Sequence, residues 1–126
     1  MVIKPQVPNT ERDGINHDIR SMRLAGRLNE ANSQLNRVIA AASGADWRTL
    51  RDLEKLLSQM FPGEGDTQTA ISARLREINP VRHGLVKQVR TVRNEDSGKR
   101  VWFYRLVPTR IESILSAYPI KPGNTA

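Results

Sequence analysis

The chain has 126 residues, of which 38 % are hydrophobic and 26 % charged, enough for one folded domain with a core of its own. It has no cysteine, which excludes thiolate metal sites, redox CxxC motifs and cysteine nucleophiles, and no apolar run near the roughly 18 residues of a membrane span. Twenty Lys and Arg against thirteen Asp and Glu give a net charge of +7, a surface that favours polyanions.

Residues 1–14 contain Pro5 and Pro8, an Asn9-Thr10 pair and no apolar periodicity, and are expected to form a flexible arm. The start, Met1-Val2-Ile3-Lys4-Pro5-Gln6, lacks the charged then apolar order of a secretory signal, so a cytoplasmic protein is expected. From Ile15 to Ala42, apolar residues recur at spacings of three and four: Ile19, Met22, Leu28, Leu35, Val38, Ile39 and Ala42. This is one long helix or two, with Gly26 as the weak point and Ser43-Gly44 as the stop. Asp46-Trp47-Arg48 is a connector. Thr49 is an N-cap with Asp52 three residues on, and Leu50, Leu53, Leu56, Leu57 and Met60 make the apolar face of the helix that follows. Phe61-Pro62-Gly63-Glu64-Gly65 breaks it. The next helix, expected over 67–79, is capped by Asp66 or Thr67, turns Ala70, Ile71, Leu75 and Ile78 inward, and ends at Pro80.

The period then changes. Leu85–Arg93 and Lys99–Val107 are rich in Val, Thr and aromatics, and Asn94-Glu95-Asp96-Ser97-Gly98 between them is a turn, so a β-hairpin is expected. Thr109 and Glu112 form a capping box for a short helix to about residue 118, and 119–126 is a tail. Residues 80–126 hold nine basic against three acidic residues, nearly the whole charge excess, and Arg is the commoner cation throughout. Arg pairs with phosphate and guanine in bidentate fashion.

The order helix, connector, helix, loop, helix, basic hairpin resembles the winged helix-turn-helix superfamily of bacterial and phage DNA-binding proteins. The resemblance covers about residues 35–107. Leu35–Ala42 is similar to its first helix, Trp47–Leu57 to its short first strand and second helix, Thr67–Ile78 to its recognition helix, and Gly84-Leu85-Val86 to the turn into the wing. The long loop Phe61–Gly65 and the acidic pair Glu95-Asp96 at the hairpin tip depart from the family pattern. The fold expected is mainly α with a small β-hairpin, a winged helix over residues 15–118 with extra N- and C-terminal helices.

The resemblance implies a double-stranded DNA binder, a small transcriptional regulator of phage, plasmid or prokaryotic kind. Thr67, Gln68, Thr69, Ser72, Ala73 and Arg76 would face the major groove, where Gln reads adenine and Arg reads guanine. His83, Lys87, Arg90, Arg93, Lys99 and Arg100 would hold backbone from the wing. A homodimer through the N- and C-terminal helices would match a symmetric operator. Two other readings stand beside it. One is a protein-interaction module acting on polymerase or replication machinery. The other is a single-stranded DNA or RNA binder using Trp102-Phe103-Tyr104. Alternation along a strand lets only Trp102 and Tyr104 share a face, and packing at the wing root is the expected role of these aromatics.

No enzyme is expected. His17 and His83 lie far apart without partners at metal-ligand spacing, Gly63-Glu64-Gly65 lacks the Lys of a phosphate loop, and Glu95, Asp96 and Lys99 sit at a turn that selects such residues anyway. No cofactor, metal or small-molecule ligand is expected, and no membrane association.

Overall fold

The computed structural model describes residues 3–28 and 30–109. Among these, the chain forms α1 (Asn9–Leu24), α2 (Gln34–Ala42), α3 (Leu50–Met60), α4 (Gln68–Leu75), the single turn α5 (Pro80–His83), and the strands β1 (Leu85–Arg93) and β2 (Arg100–Pro108). It is a helix-rich chain with a small two-stranded antiparallel sheet, compatible with an α+β fold. No helix among the described residues is long and apolar enough to cross a membrane. The helix expected near 109–118 and the tail lie outside the described residues.

Local chemistry accounts for most boundaries. Ser33 caps α2 by accepting from the Asn36 N–H at 3.1 Å, and Thr67 caps α4 by accepting from Ala70. Thr49 and Asp52 close a reciprocal capping box at the start of α3. The stretch 15–43 is two helices: Gly26 at φ 80° and Leu28 at φ 65° take the left-handed conformation that stops α1, and the chain re-enters helix only at Gln34.

Four expectations change. Residues 9–14 are helical rather than part of an arm. The N–H of Arg12 bonds the Pro8 carbonyl at 2.9 Å, so Pro8 marks a helix start; the first turn is held from outside by Arg105 on Glu11 and Asp46 on Arg12. The helix expected over 67–79 ends at Leu75, with Arg76 as its C-cap. Pro80 opens α5 instead of ending α4, because Asn79 caps that turn by accepting from Val81 and Arg82, and a proline at the first helical position needs no N–H partner. Met60, expected inside, is exposed.

The core lies where α2, α3 and α4 meet. Val38, Leu53, Leu57, Ile71 and Leu75 are buried there with Ile19 of α1. Leu85 and Leu106, from the root of the hairpin, complete it. Each such side chain contributes roughly 1.5–3 kcal/mol on burial. Ile15 and Met22 pack on the same core, so the apolar face of α1, expected to serve a dimer, is used within the chain.

The strands pair in register from Leu85 with Pro108 to Arg93 with Arg100. Arg48 adds one residue to the far side of β2, exchanging backbone bonds with Tyr104 at 3.0 and 2.7 Å, and Ser43 bridges Leu106. The hairpin is therefore clamped to the helices at its root.

Candidate nucleic-acid interface

Two faces of the hairpin follow from the register. Leu85, Lys87, Val89, Thr91 and Arg93 share one face with Arg100, Trp102, Tyr104 and Leu106. Its root packs on the helical core, and we call it the core face. The other carries Val86, Gln88, Arg90 and Val92 with Val101, Phe103, Arg105 and Val107, and Trp47 lies against it.

Arg105 dominates the Trp47 face. Its side chain is almost fully buried. It donates to Gln88 Oε1 at 2.8 Å, to the Ala45 carbonyl at 2.9 Å and to Glu11 Oε1 at 2.6 Å, and its guanidinium lies 4.2 Å from the centre of the Trp47 ring. Arg105 is thus the bolt between α1, the α2–α3 connector and the sheet. The Arg90 guanidinium sits over the same ring at 4.9 Å, a cation–π contact.

A groove of about 730 Å³ runs along β1. Arg76, Ile78 and Pro80 form one wall, Lys87, Val89 and Arg90 form the strand side, and Glu11 and Trp47 close one end. The long loop between α3 and α4 is fastened from behind. Asp66 accepts both arms of Arg37, at 3.0 and 2.8 Å, and the Gln34 amide at 3.0 Å. The hydrogen bonds from Arg37 hold the Asp66 carboxyl below the usual aspartate range against the opposing effect of its burial, with Gln34 adding to them. This bond, made across 29 residues, fixes the approach of α4 to α2.

The expected contact residues separate into three groups. Thr69 and Arg76 are exposed on α4 and at its end, with Ser72 and Ala73 half-buried beside them. Arg93, Lys99 and Arg100 are exposed at the far end of the hairpin, and Lys87 is half-buried in the groove. The remaining residues are committed within the chain. Thr67 serves as a cap. Gln68 donates to Glu54 Oε1 at 3.1 Å and so faces α3, not a base. His83 Nδ1 accepts from the Asn79 N–H at 2.9 Å, and its carbonyl accepts from Arg27 at 3.1 Å. Burial, then the neighbouring charge of Arg82, lowers the His83 pKa, which favours the neutral ring that this Nδ1 contact requires. His83 therefore ties down α5 through Nδ1, which leaves the Nε2–H of the neutral ring as its one side-chain donor.

Sequence reasoning missed Arg105, Trp47 and Glu11. Their association spans 94 residues between Glu11 and Arg105, so no local pattern brings the three together. One signal was there: in Leu85–Arg93 and Arg100–Pro108, Arg105 falls on the same face as Phe103 and Val107, in an otherwise apolar row. Among the described residues no three His, Asp or Glu side chains are grouped as for a metal ion. Compared with known protein families, curated proteins and solved structures, the chain finds no match in any of the three.

Proposed function

We propose that the chain binds double-stranded DNA as a winged helix, with α4 at the major groove and the hairpin along the backbone. One observation carries this reading. Several cations away from the hairpin tip are held in ion pairs, Lys4 with Asp52, Arg12 with Asp46, Arg37 with Asp66 and Arg105 with Glu11, while among the described residues Arg20, Arg51 and Lys55 on the helices are not. The side-chain cations of Arg76, Lys87, Arg93, Lys99 and Arg100 make no ion pair or hydrogen bond among the described residues. They border one groove and continue along one hairpin, the placement a phosphate backbone would use. The element order α2, Arg48, α3, α4, β1, β2 supports the winged-helix reading, and Arg48 on β2 is where that family has its short first strand. A role as a small regulator belongs to the same proposal.

The test is fluorescence anisotropy of labelled duplex DNA across a salt series. About four to five phosphate contacts would weaken binding about 10²-fold between about 50 and about 200 mM salt. Arg76→Ala is expected to relax sequence preference at one position by about 1–3 kcal/mol, whereas Lys99→Ala weakens all sequences alike. Absence of duplex binding at low salt overturns the proposal. The acidic tip at Glu95 and Asp96 favours the second reading, a protein-docking module, in that outcome.

A further inference from the structure

The hairpin is covered unequally at one level. Phe103, on the Trp47 face, is 1 % exposed, whereas its neighbour Trp102, on the core face, is 51 % exposed. Trp102 is therefore not a residue stranded beyond the end of the body; it is uncovered on one side of a strand whose other side is sealed. Val89, diagonal to it on the same face, is 41 % exposed. Thr91 is directly opposite Trp102. One step toward the tip on that face, Arg93 lies directly opposite Arg100.

Neither feature suits a bare surface. An open indole leaves a large apolar area in water, and like charges placed opposite each other across a hairpin destabilise it. Together they define a ligand with a flat apolar part and an anionic part. The guanidinium pair stands two residues from the indole along the strand, about 7 Å at the rise of extended chain, within the reach of one nucleotide from base to phosphate. A protein partner of acidic character would satisfy the arginines but does not need a flat ring left open beside them.

We propose that the outer part of the core face binds unpaired nucleotides, a base stacking on Trp102 and its phosphate held by Arg93 and Arg100. The turn confines the strand to this face. Asn94 and Lys99 close it through a 2.7 Å backbone bond, and the carboxylates of Glu95 and Asp96 beyond it repel a phosphate chain running over the tip. The preferred ligand is thus a duplex with an adjoining single strand, the duplex along the groove and the first unpaired bases on Trp102. The site on Trp102 rests on the reading above only in taking the ligand to be nucleic acid, whereas the duplex along the groove is that reading itself.

The experiment compares three DNA probes: a blunt duplex, the same duplex with a short oligothymidine extension, and the oligothymidine alone. The wild-type chain is expected to bind the extended duplex more tightly than the blunt one, with quenching of indole fluorescence. Trp102→Ala is expected to lose about tenfold in affinity for the extended duplex, to lose the quenching, and to bind the blunt duplex as before. Trp102→Phe, which keeps a stacking ring, is expected to recover most of the loss. Thermal midpoints of both variants are read alongside, and Trp102→Phe, which keeps an aromatic ring on the strand, separates a loss of stacking from a loss of stability. If the extension adds no affinity, or Trp102→Ala binds extended and single-stranded probes as wild type does, the proposal is overturned. Blunt-duplex binding then still stands as a separate result. Trp102-dependent binding of the oligothymidine without any duplex binding would keep this site and remove the duplex reading.

Discussion

The buried junction of helices and hairpin and the far half of the hairpin use the same residue type in opposite ways. Arg37 of α2 and Arg105 at the inner half of β2 are structural: each is held by several acceptors and each joins segments distant in sequence. On the far half of the hairpin, Arg93 and Arg100 meet no acceptor among the described residues and face each other instead. A cation surrounded by its acceptors contributes to folding, whereas a cation without them contributes to what the fold can hold. Net charge alone does not distinguish the two, and this chain separates them by position.

The contrast breaks first at Arg105. Arg105→Ala is expected to lower unfolding free energy by about 3 kcal/mol, since it leaves the Ala45 carbonyl without its donor and uncovers Trp47. Urea denaturation measures this. A loss within about 0.5 kcal/mol, the size typical of surface sites, would mean that Arg105 is no more structural than the arginines at the hairpin tip.

Asp66 tests the same contrast by pH. Its folded pKa lies below its unfolded one, near 3.9 for an ordinary aspartate. The native state therefore binds fewer protons than the unfolded state in this range. The stabilisation is fully present above about pH 4 and is lost as pH falls through that value toward the depressed folded pKa. Thermal midpoints of the wild type are expected to fall more steeply below about pH 4 than those of Asp66→Asn, which has no such carboxyl to titrate. Parallel acid limbs would show that the Arg37–Asp66 bond does not stabilise the fold.

The smallest stability effect is expected where the charge is densest. The double variant Arg93→Ala, Arg100→Ala should change unfolding free energy by less than about 0.5 kcal/mol, with the sign toward stabilisation, because it removes an opposed like-charge pair. The same variant should weaken nucleic-acid binding and flatten its salt dependence by about one unit of slope per lost contact. Urea denaturation and the anisotropy series read the two halves separately. A marked loss of stability with unchanged binding would reverse the roles assigned to the two regions.

How much of this could be read in the chain depended on distance in sequence. The span of β1, the turn after it and the Thr49 N-cap were legible, because alternation and capping are fixed by residues a few positions apart; that Asp52 closes a full capping box shows only in the structure. The start of α1 was not: Pro5 and Pro8 read as loop punctuation, and what holds the first turn is Arg105 and Asp46, far along the chain. The end of α4 was missed because Ile78 continues the apolar spacing although the helix stops at Leu75; it packs on the core from a turn. Of the candidate site, the outer hairpin cations were legible from charge alone. The commitment of Gln68 to Glu54 and of His83 to Asn79 was not, since both depend on how separate segments meet.

The clamp at the hairpin root has a mechanical consequence. Bonds at Arg48–Tyr104 and Ser43–Leu106 fix one end of the sheet, and Asn94–Gly98 closes the other. Four strand pairs, roughly 14 Å at the rise of an extended strand, project from the outer clamp. A beam fixed at one end deflects least at its support and most at its tip. Lys87, beside the clamp, is held at a set distance from α4, whereas Arg93 and Arg100 ride on the deflecting end. Contacts near the root would thus set the register of a bound strand, and contacts at the tip would follow its curvature.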